Sequence, residues 1–250
     1  MEKWEIISLE TDYSGETVAE FLEKEAGLPI KRRMQHKRKE YIVKLKQRII
    51  RIISEAVGAS KNRKMVVMGS GSFHHYTYGL CKHADKISQN YGYIHFDQHD
   101  DYQYEEELGY RDKQRLGCGS FVKDILEDTN ASAALFIGSV PPKPILVPGK
   151  RHLHIKDKEI ASGNWFEKLQ KKLAWLPFEV YLSFDLDVME GKAITTAWSP
   201  GFMTTKDLLR AIAIIKKSKK IIGADIIGYG GADNIVPGRE LYQKIIKALS

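Results

Sequence analysis

Apolar residues fall along the chain in two kinds of run. Short solid runs occupy residues 4–9, 65–68, 92–96, 133–137, 151–155, 180–185 and 221–227, with a further one near 145–147 beyond the prolines at 141, 142 and 144. Their length and their turn-forming or polar boundaries predict strands. Between them lie stripes at three- and four-residue spacing. Val18, Phe21 and Leu22 form one, Leu208, Leu209, Ile212 and Ile215 another, and Ile42, Leu45, Ile49, Ile52, Ile53 and Ala56 a longer one. That spacing marks a helix with a single buried face. It predicts helices from Ser14 to about 27 and over 34–58, 77–83, 119–127, 163–174, 205–217 and 238–249. Residues 102–117 are polar and read as a loop of the kind that walls active sites.

Strands alternating with helices imply parallel pairing through right-handed crossovers. About eight strands with no repeat, low-complexity tract or linker predict one domain over residues 1–250. The expected fold class is α/β, a three-layer α/β/α sandwich around a mostly parallel sheet.

Composition narrows the function classes. No apolar stretch approaches the roughly 18 residues needed to span a bilayer, and the first residues lack the basic-then-apolar order of a secretory signal. Cys81 and Cys118 are too few for a disulfide framework, so a reducing cytoplasm is the expected compartment. The net charge of +7 is uneven: residues 31–51 carry ten Lys/Arg against Glu40, a local +9, which leaves −2 for the remainder. Such a run suits nucleic acid or another anionic partner. No aromatic interleaving or nucleic-acid motif accompanies it, and a solvated helix face is the better reading.

The chemistry concentrates at strand ends. The run at 93–96 leads into Asp97-Gln-His99-Asp-Asp101, the run at 180–184 into Asp185-Leu-Asp187, and the run at 65–68 into Gly69-Ser-Gly-Ser-Phe-His74-His75. In extended chain, residues at i, i+2 and i+4 share a side, so Asp97, His99 and Asp101 are expected to converge just past their strand. Gathered carboxylates and imidazoles repel and desolvate one another unless a cation lies among them. Open parallel sheets place ligands at the carboxyl ends of strands, where all three clusters fall. Four carboxylates with imidazoles and no thiolate suit Mn²⁺, with Zn²⁺ or Fe²⁺ as alternatives, better than a structural zinc. Six ligands exceed what one open site needs, so two divalent ions bridged by carboxylate and water are expected.

These motifs resemble those of the arginase/agmatinase (ureohydrolase) superfamily. Asp97-Gln-His99-Asp-Asp101 is similar to its D-A-H-x-D motif and Ser183-Phe-Asp185-Leu-Asp187 to its S-x-D-x-D motif. Met68-Gly-Ser-Gly-Ser-Phe-His74 resembles an altered G-G-D-H segment, Gly223-Ala-Asp225-Ile-Ile the G-x-D-I-x-E strand, and Ser199-Pro200-Gly201 the P-G segment. The order is the family's. The resemblance implies that Asp97 and Asp185 bridge two ions, with His74 and Asp101 completing one site and His99 and Asp187 the other. It also implies a metal-bound hydroxide that cleaves a non-peptide C–N bond of a small substrate, and assembly as a homo-oligomer.

The departures are specific. Gly228 stands where the family's guanidinium-binding Glu closes its motif. No histidine lies between Asp101 and Phe121, where the family's catalytic His is expected. Cys118 and His75 are left as candidates, with Asp101, for catalytic proton handling; as bland readings, Cys118 is a small buried residue and His75 a packing residue. Arginase or agmatinase activity itself is therefore not the expectation. Two alternatives stand beside the hydrolase: a deacetylase-like amidohydrolase, echoed in His74-His75 and Gly228-Tyr229-Gly-Gly231, and a non-catalytic metal-binding protein with the 31–51 segment as partner surface.

Overall fold

In the computed structural model, the described residues are 4–35, 43–60, 62–102, 114–139, 147–230 and 235–250, without the side chains of 43, 44 and 235–237. Ten strands are β1 (Glu5–Glu10), β2 (Ile30–Gln35), β3 (Val43–Leu45), β4 (Lys64–Val67), β5 (Tyr91–Phe96), β6 (Arg115–Gly117), β7 (Ala131–Gly138), β8 (Arg151–Lys156), β9 (Glu179–Asp185) and β10 (Lys220–Ile227). Eight form one sheet in the order β2-β1-β4-β10-β9-β5-β7-β8, and every pairing is parallel. The helices are α1 (Tyr13–Glu20), continued by a π turn at Phe21–Glu25, α2 (Lys46–Val57), α3 (Tyr76–Ala84), α4 (Val122–Asp128), α5 (Asp157–Ala161), α6 (Phe166–Leu173), α7 (Thr205–Ser218) and α8 (Ile235–Leu249).

Alternation along the strands sorts side chains to two cores. Met65, Val67, Ile94, Phe96, Leu182, Phe184 and Ile226 face one layer, with Val18 of α1, Leu169 of α6, Ile212 of α7 and Ile245 of α8. Val66, Met68, Tyr93, Tyr181, Ile222 and Ile227 face the other, with Ile49 and Ile53 of α2, Leu80 of α3 and Ile125 of α4. Eight parallel strands between two helical layers are the expected α/β/α architecture. Their common direction brings the ends of β4, β5, β9 and β10 to one edge of the sheet.

Four local expectations change. The helix expected over 34–58 begins only at Lys46; Met34 and Gln35 belong to edge strand β2, and residues 36–42 lie outside the described residues. The charge there serves packing: Lys31 pairs with buried Glu5, Arg33 with buried Glu10 and with Glu23, and Lys46 with Asp124 and Asp128. A basic residue on an edge strand can reach the acids of the strand beside it, which helical periodicity does not reveal. Within the expected loop 102–117, residues 103–113 lie outside the described residues, but Arg115–Gly117 pairs antiparallel with β3, holding Leu116 in the core. The helix expected over 163–174 is α6, and a short α5 that the pattern did not predict precedes it, separated from it by a turn at Gly163 with φ +75°. Of the strand expected near 145–147, residues 145 and 146 lie outside the described residues and Val147 is not in a strand.

Candidate metal centre

The sheet register builds the site in rows. His95 on β5 stands beside Ser183 on β9, and Ser183 beside Asp225 on β10. One residue pair further along, the chain leaves β5 as Asp97 and ends β9 at Asp185. Past Phe96 the backbone does not continue extended: residues 97–101 bend, and Asp101 adopts φ +48°. This differs from the i, i+2, i+4 expectation. The turn, in a conformation unusual for a residue with a side chain, brings Asp101 back to the cluster. Asp tolerates this region better than most residues because its short polar side chain bonds locally.

His74, a ligand implied by the resemblance, lies in the cluster. Its Nδ1 lies 2.8 Å from Asp101 Oδ2, 3.1 Å from Asp97 Oδ2 and 3.5 Å from Asp185 Oδ2. His99 Nδ1 lies 2.9 Å from Asp187 Oδ2 and 3.4 Å from Asp97 Oδ1. Asp97 thus faces two lobes with its two oxygens. Backbone amides hold the carboxylates in place: His99 N donates to Asp97 Oδ1 (2.6 Å), Gln98 N to Asp187 Oδ1 (3.0 Å) and Asp187 N to Asp185 Oδ1 (3.0 Å). His75 is fully buried with its ring 5.0 Å from that of Tyr76. Cys118 is partly exposed, and burial, with Asp101 next in effect, pushes its thiol up to about 11, so it stays protonated near neutrality.

Sequence reasoning missed three residues. His95 Nε2, fully buried, lies 3.3 Å from Asp97 Oδ2, and its Nδ1 is 2.9 Å from the Tyr93 hydroxyl. Its ring stacks on His74 at 5.1 Å. The signal was available, since His95 is two residues before Asp97 and so shares its face. Ser183 and Asp225 lie behind His74. Ser183 donates from Oγ to Asp225 Oδ1 (2.9 Å) and so accepts from His74 Nε2 (2.8 Å). Asp225, wholly buried, also accepts from Thr77 Oγ1 (3.2 Å) and Tyr181 Oη (2.9 Å). This chain keeps the Nε2 proton directed at Ser183 and aims Nδ1 at the carboxylates. Burial opposes the charge of His74, but Asp101 and Asp97 hold the metal-free imidazole well above its ordinary range, and Nδ1 is the atom left to meet a cation.

Electrostatics test whether these groups fit metal ions. Burial, then repulsion from Asp97, holds the Asp101 carboxyl well above its usual range and raises that of Asp185 to about 6. Burial and Asp185 likewise hold Asp187 well up. Burial opposes ionisation of Asp97 too, but His95, His74 and His99 hold it well below the normal range. Asp187 and Asp97 raise His99 to about 11. The ion pairs that these four carboxylates make among the described residues are to histidines alone. His74 Nδ1 and His95 Nε2 are buried without a well-formed hydrogen bond. Ligand atoms of His74, His95 and Asp97 lie within 4.8 Å of one another, and so do those of Asp97, His99 and Asp187. Hard oxygen and borderline nitrogen donors in two lobes that share Asp97 fit two divalent ions of the Mn²⁺, Fe²⁺ or Zn²⁺ type.

Removing the support behind His74 has a measurable cost. Ser183→Ala or Asp225→Asn is expected to weaken Mn²⁺ binding about 10–100-fold, the usual loss when an outer-shell partner goes. Calorimetric titration checks this, and unchanged affinity in both variants would refute the orienting role of Ser183 and Asp225.

One departure from the resemblance and one echo of the deacetylase alternative are visible in three dimensions. Gly228 has φ +108°, and a Cβ there would collide with Asp185 Oδ1 and come within 2.6 Å of Leu186 N. The backbone itself therefore excludes a glutamate at this position. Tyr229, weighed as a deacylase-type tyrosine, is buried in the apolar core, its ring against Gly238.

Comparison with known proteins places this fold. A search of curated protein sequences finds no match. Among solved structures, the agmatine ureohydrolase of Thermoplasma volcanium superposes with a TM-score of 0.71 at 14% identity, over 99% of this chain and 90% of that one. Arginase from Entamoeba histolytica, solved in complex with L-ornithine, gives 0.68 at 15% identity over 100% and 98%. A hypothetical agmatinase from Burkholderia thailandensis gives 0.61 at 17% identity over 81% of this chain, which spans 62% of that chain. At these identities the likeness establishes the shared fold. The family model described as Arginase family matches residues 20–230. The chain belongs to the arginase family.

Proposed function

We propose that this protein is a binuclear metal-dependent hydrolase that cleaves a non-peptide C–N bond of a small molecule. The observation that carries the reading is the pair of donor groups sharing Asp97 at the carboxyl edge of the sheet. His74, Asp101 and His95 would hold one ion with Asp97 and Asp185, and His99 and Asp187 the other. Two such ions, Mn²⁺ in the first place and Zn²⁺ or Fe²⁺ otherwise, would supply Lewis acidity and acidify the attacking water.

The chain's own groups orient and move protons around that water. Asp97 and Asp185 fix the spacing of the two lobes. Asp101, 2.8 Å from His74, is the carboxylate we assign to receive the proton of the attacking water and return it to the leaving nitrogen. Cys118, a neutral thiol, lies near enough to the cluster for Asp101, His74 and Asp185 to act on its charge. His75 packs behind, against Tyr76. With no glutamate at position 228, a guanidino substrate loses its partner, as a cationic amidine does, and a neutral amide is the better match. Among the described residues no helix is long and apolar enough to cross a membrane, and we place the enzyme in the cytoplasm, with homo-oligomer assembly as in its family.

Reconstitution with Mn²⁺, followed by metal analysis and an ammonia-release assay over amides, amidines and guanidino compounds, tests this reading. Two ions per chain and Mn²⁺-dependent turnover of at least one C–N substrate are expected. A chain that takes up no divalent ion would end it.

A further inference from the structure

Resting on the metallohydrolase reading, we propose that Trp198 is the platform that selects the substrate, and that the group it accepts beside the scissile bond is flat, unsaturated and uncharged. The segment bearing this indole is fastened to the centre at both ends. Gly230 N donates to Thr195 O (3.0 Å) and Gly201 N to Asp187 O (2.6 Å), while Thr196 Oγ1 donates to Trp198 O (2.8 Å). Between these ties the Trp198 side chain is 47% exposed. A single exposed aromatic is ordinary on a surface. This one is held over the metal-binding edge. Its ring meets the His99 imidazole edge-on, centroids 6.0 Å apart at 69°, and His99 is the most exposed ligand side chain, at 38%.

Gly71 lets the indole descend that far. A Cβ on this residue would stand 2.8 Å from Asp185 Oδ2 and 3.3 Å from both Cδ1 and Nε1 of Trp198. Any side chain at 71 would wedge between the indole and that carboxylate. Among the described residues, the aromatic surface of Trp198 thus lies beside His99 and, across Gly71, beside the Asp185 carboxylate. A planar group attached to the scissile carbon can stack there while that carbon faces the lobes.

Charge decides between a neutral and a cationic guest. A guanidinium stacked there needs an ionised carboxylate free to receive it. Among the described residues, the nearby carboxylates outside the ligand set are engaged. Asp12 accepts from Gly15 N and Ser70 N, Asp100 from Tyr102 N, and Asp225 from three hydroxyls. Position 228 admits no side chain at all. An aryl or conjugated amide meets the indole without leaving a charge uncompensated.

Calorimetry with metal-directed probes tests this on the Mn²⁺-loaded full chain. Benzohydroxamate is expected to bind about tenfold or more tighter than acetohydroxamate, in the range of aromatic stacking. Trp198→Ala should abolish that ratio, and Trp198→Phe should restore most of it. Trp175→Ala, which removes another exposed aromatic, should leave the ratio as in the wild type. In competition, neutral benzamide should displace benzohydroxamate at lower concentration than its cationic isostere benzamidine. Equal affinity for the two hydroxamates, a preference that survives in Trp198→Ala, or tighter binding of benzamidine overturns the proposal. Failure to take up Mn²⁺ overturns the metallohydrolase reading and this proposal with it. Normal uptake with no aromatic preference overturns this proposal alone.

Discussion

Asp97→Asn is expected to reduce Mn²⁺ uptake from two ions per chain to at most one, with at least about 100-fold weaker affinity for the ion retained. That loss exceeds the 10–100-fold seen when only an outer-shell partner is removed. Asp97 sets the size of the effect because it is the one residue common to both donor groups, with Oδ2 toward His74 and His95 and Oδ1 toward His99. Asparagine keeps the volume and can still accept from His99 N, so the fold should survive, but a neutral amide cannot bridge two cations. Three histidines lose the anion that faces them, and C–N hydrolysis should fall with the metal. Metal analysis after gel filtration gives the answer. Two tightly held ions in this variant would remove Asp97 from the centre.

Metal-free protein is expected to lose stability as the pH rises from about 4, whereas Mn²⁺-loaded protein is stabilised more at pH 8 than at pH 5. The folded chain raises Asp185 and Asp225 from 3.8 to about 6, chiefly by burial. The fold therefore binds those protons more tightly than the unfolded chain does. Their contribution is present below about pH 4 and is lost between there and about pH 6. His99, raised from 6.5 to about 11 by Asp187 and Asp97, contributes fully below pH 6.5 and less at each step above it. Asp97, held low, works in the opposite sense and is lost on acidification. Divalent ions displace the protons on these ligands, so their affinity climbs through the same interval. At an ion concentration about 100 times Kd the gain is about 2.7 kcal/mol. For a chain of this size that corresponds to a rise in Tm of about 5–10 °C. Scanning calorimetry with and without chelator at pH 5, 6, 7 and 8 measures the gap. A gap that stays constant or narrows with pH would show that the carboxylate cluster does not exchange protons for ions.

The two periodicities in the chain are enough to specify the architecture. Solid apolar runs alternating with amphipathic stripes leave a parallel sheet between two helical layers as the way to bury both, and the α/β/α fold follows. Where two signals overlap, the pattern misleads. The expected helix ran back to residue 34, where Met34 and Gln35 instead belong to edge strand β2 and Leu45 to β3. One apolar residue, Leu116, was too little to reveal a three-residue strand in a polar run.

The site divides in the same way. Residue types and i, i+2 spacing named Asp97, His99, Asp101, Asp185 and Asp187 and left His74 and His75 open until the resemblance favoured His74, because hard and borderline donors at strand ends are a local property of the sequence. Which of them meet was decided by register and by one turn. Asp101 arrives beside His74 through a backbone at φ +48°, not through an extended strand. His95, in an apolar run, reads as core until β5 and β9 are aligned. Ser183 and Asp225, 42 residues apart, become the support of His74 only because β9 and β10 are neighbours. The amino-acid sequence by itself determined the chemistry available to this protein and the edge of the sheet where it gathers. Only the tertiary structure decided its arrangement, because hydrogen-bond partners, lone-pair directions and the closed position at Gly228 depend on segments brought together across strands.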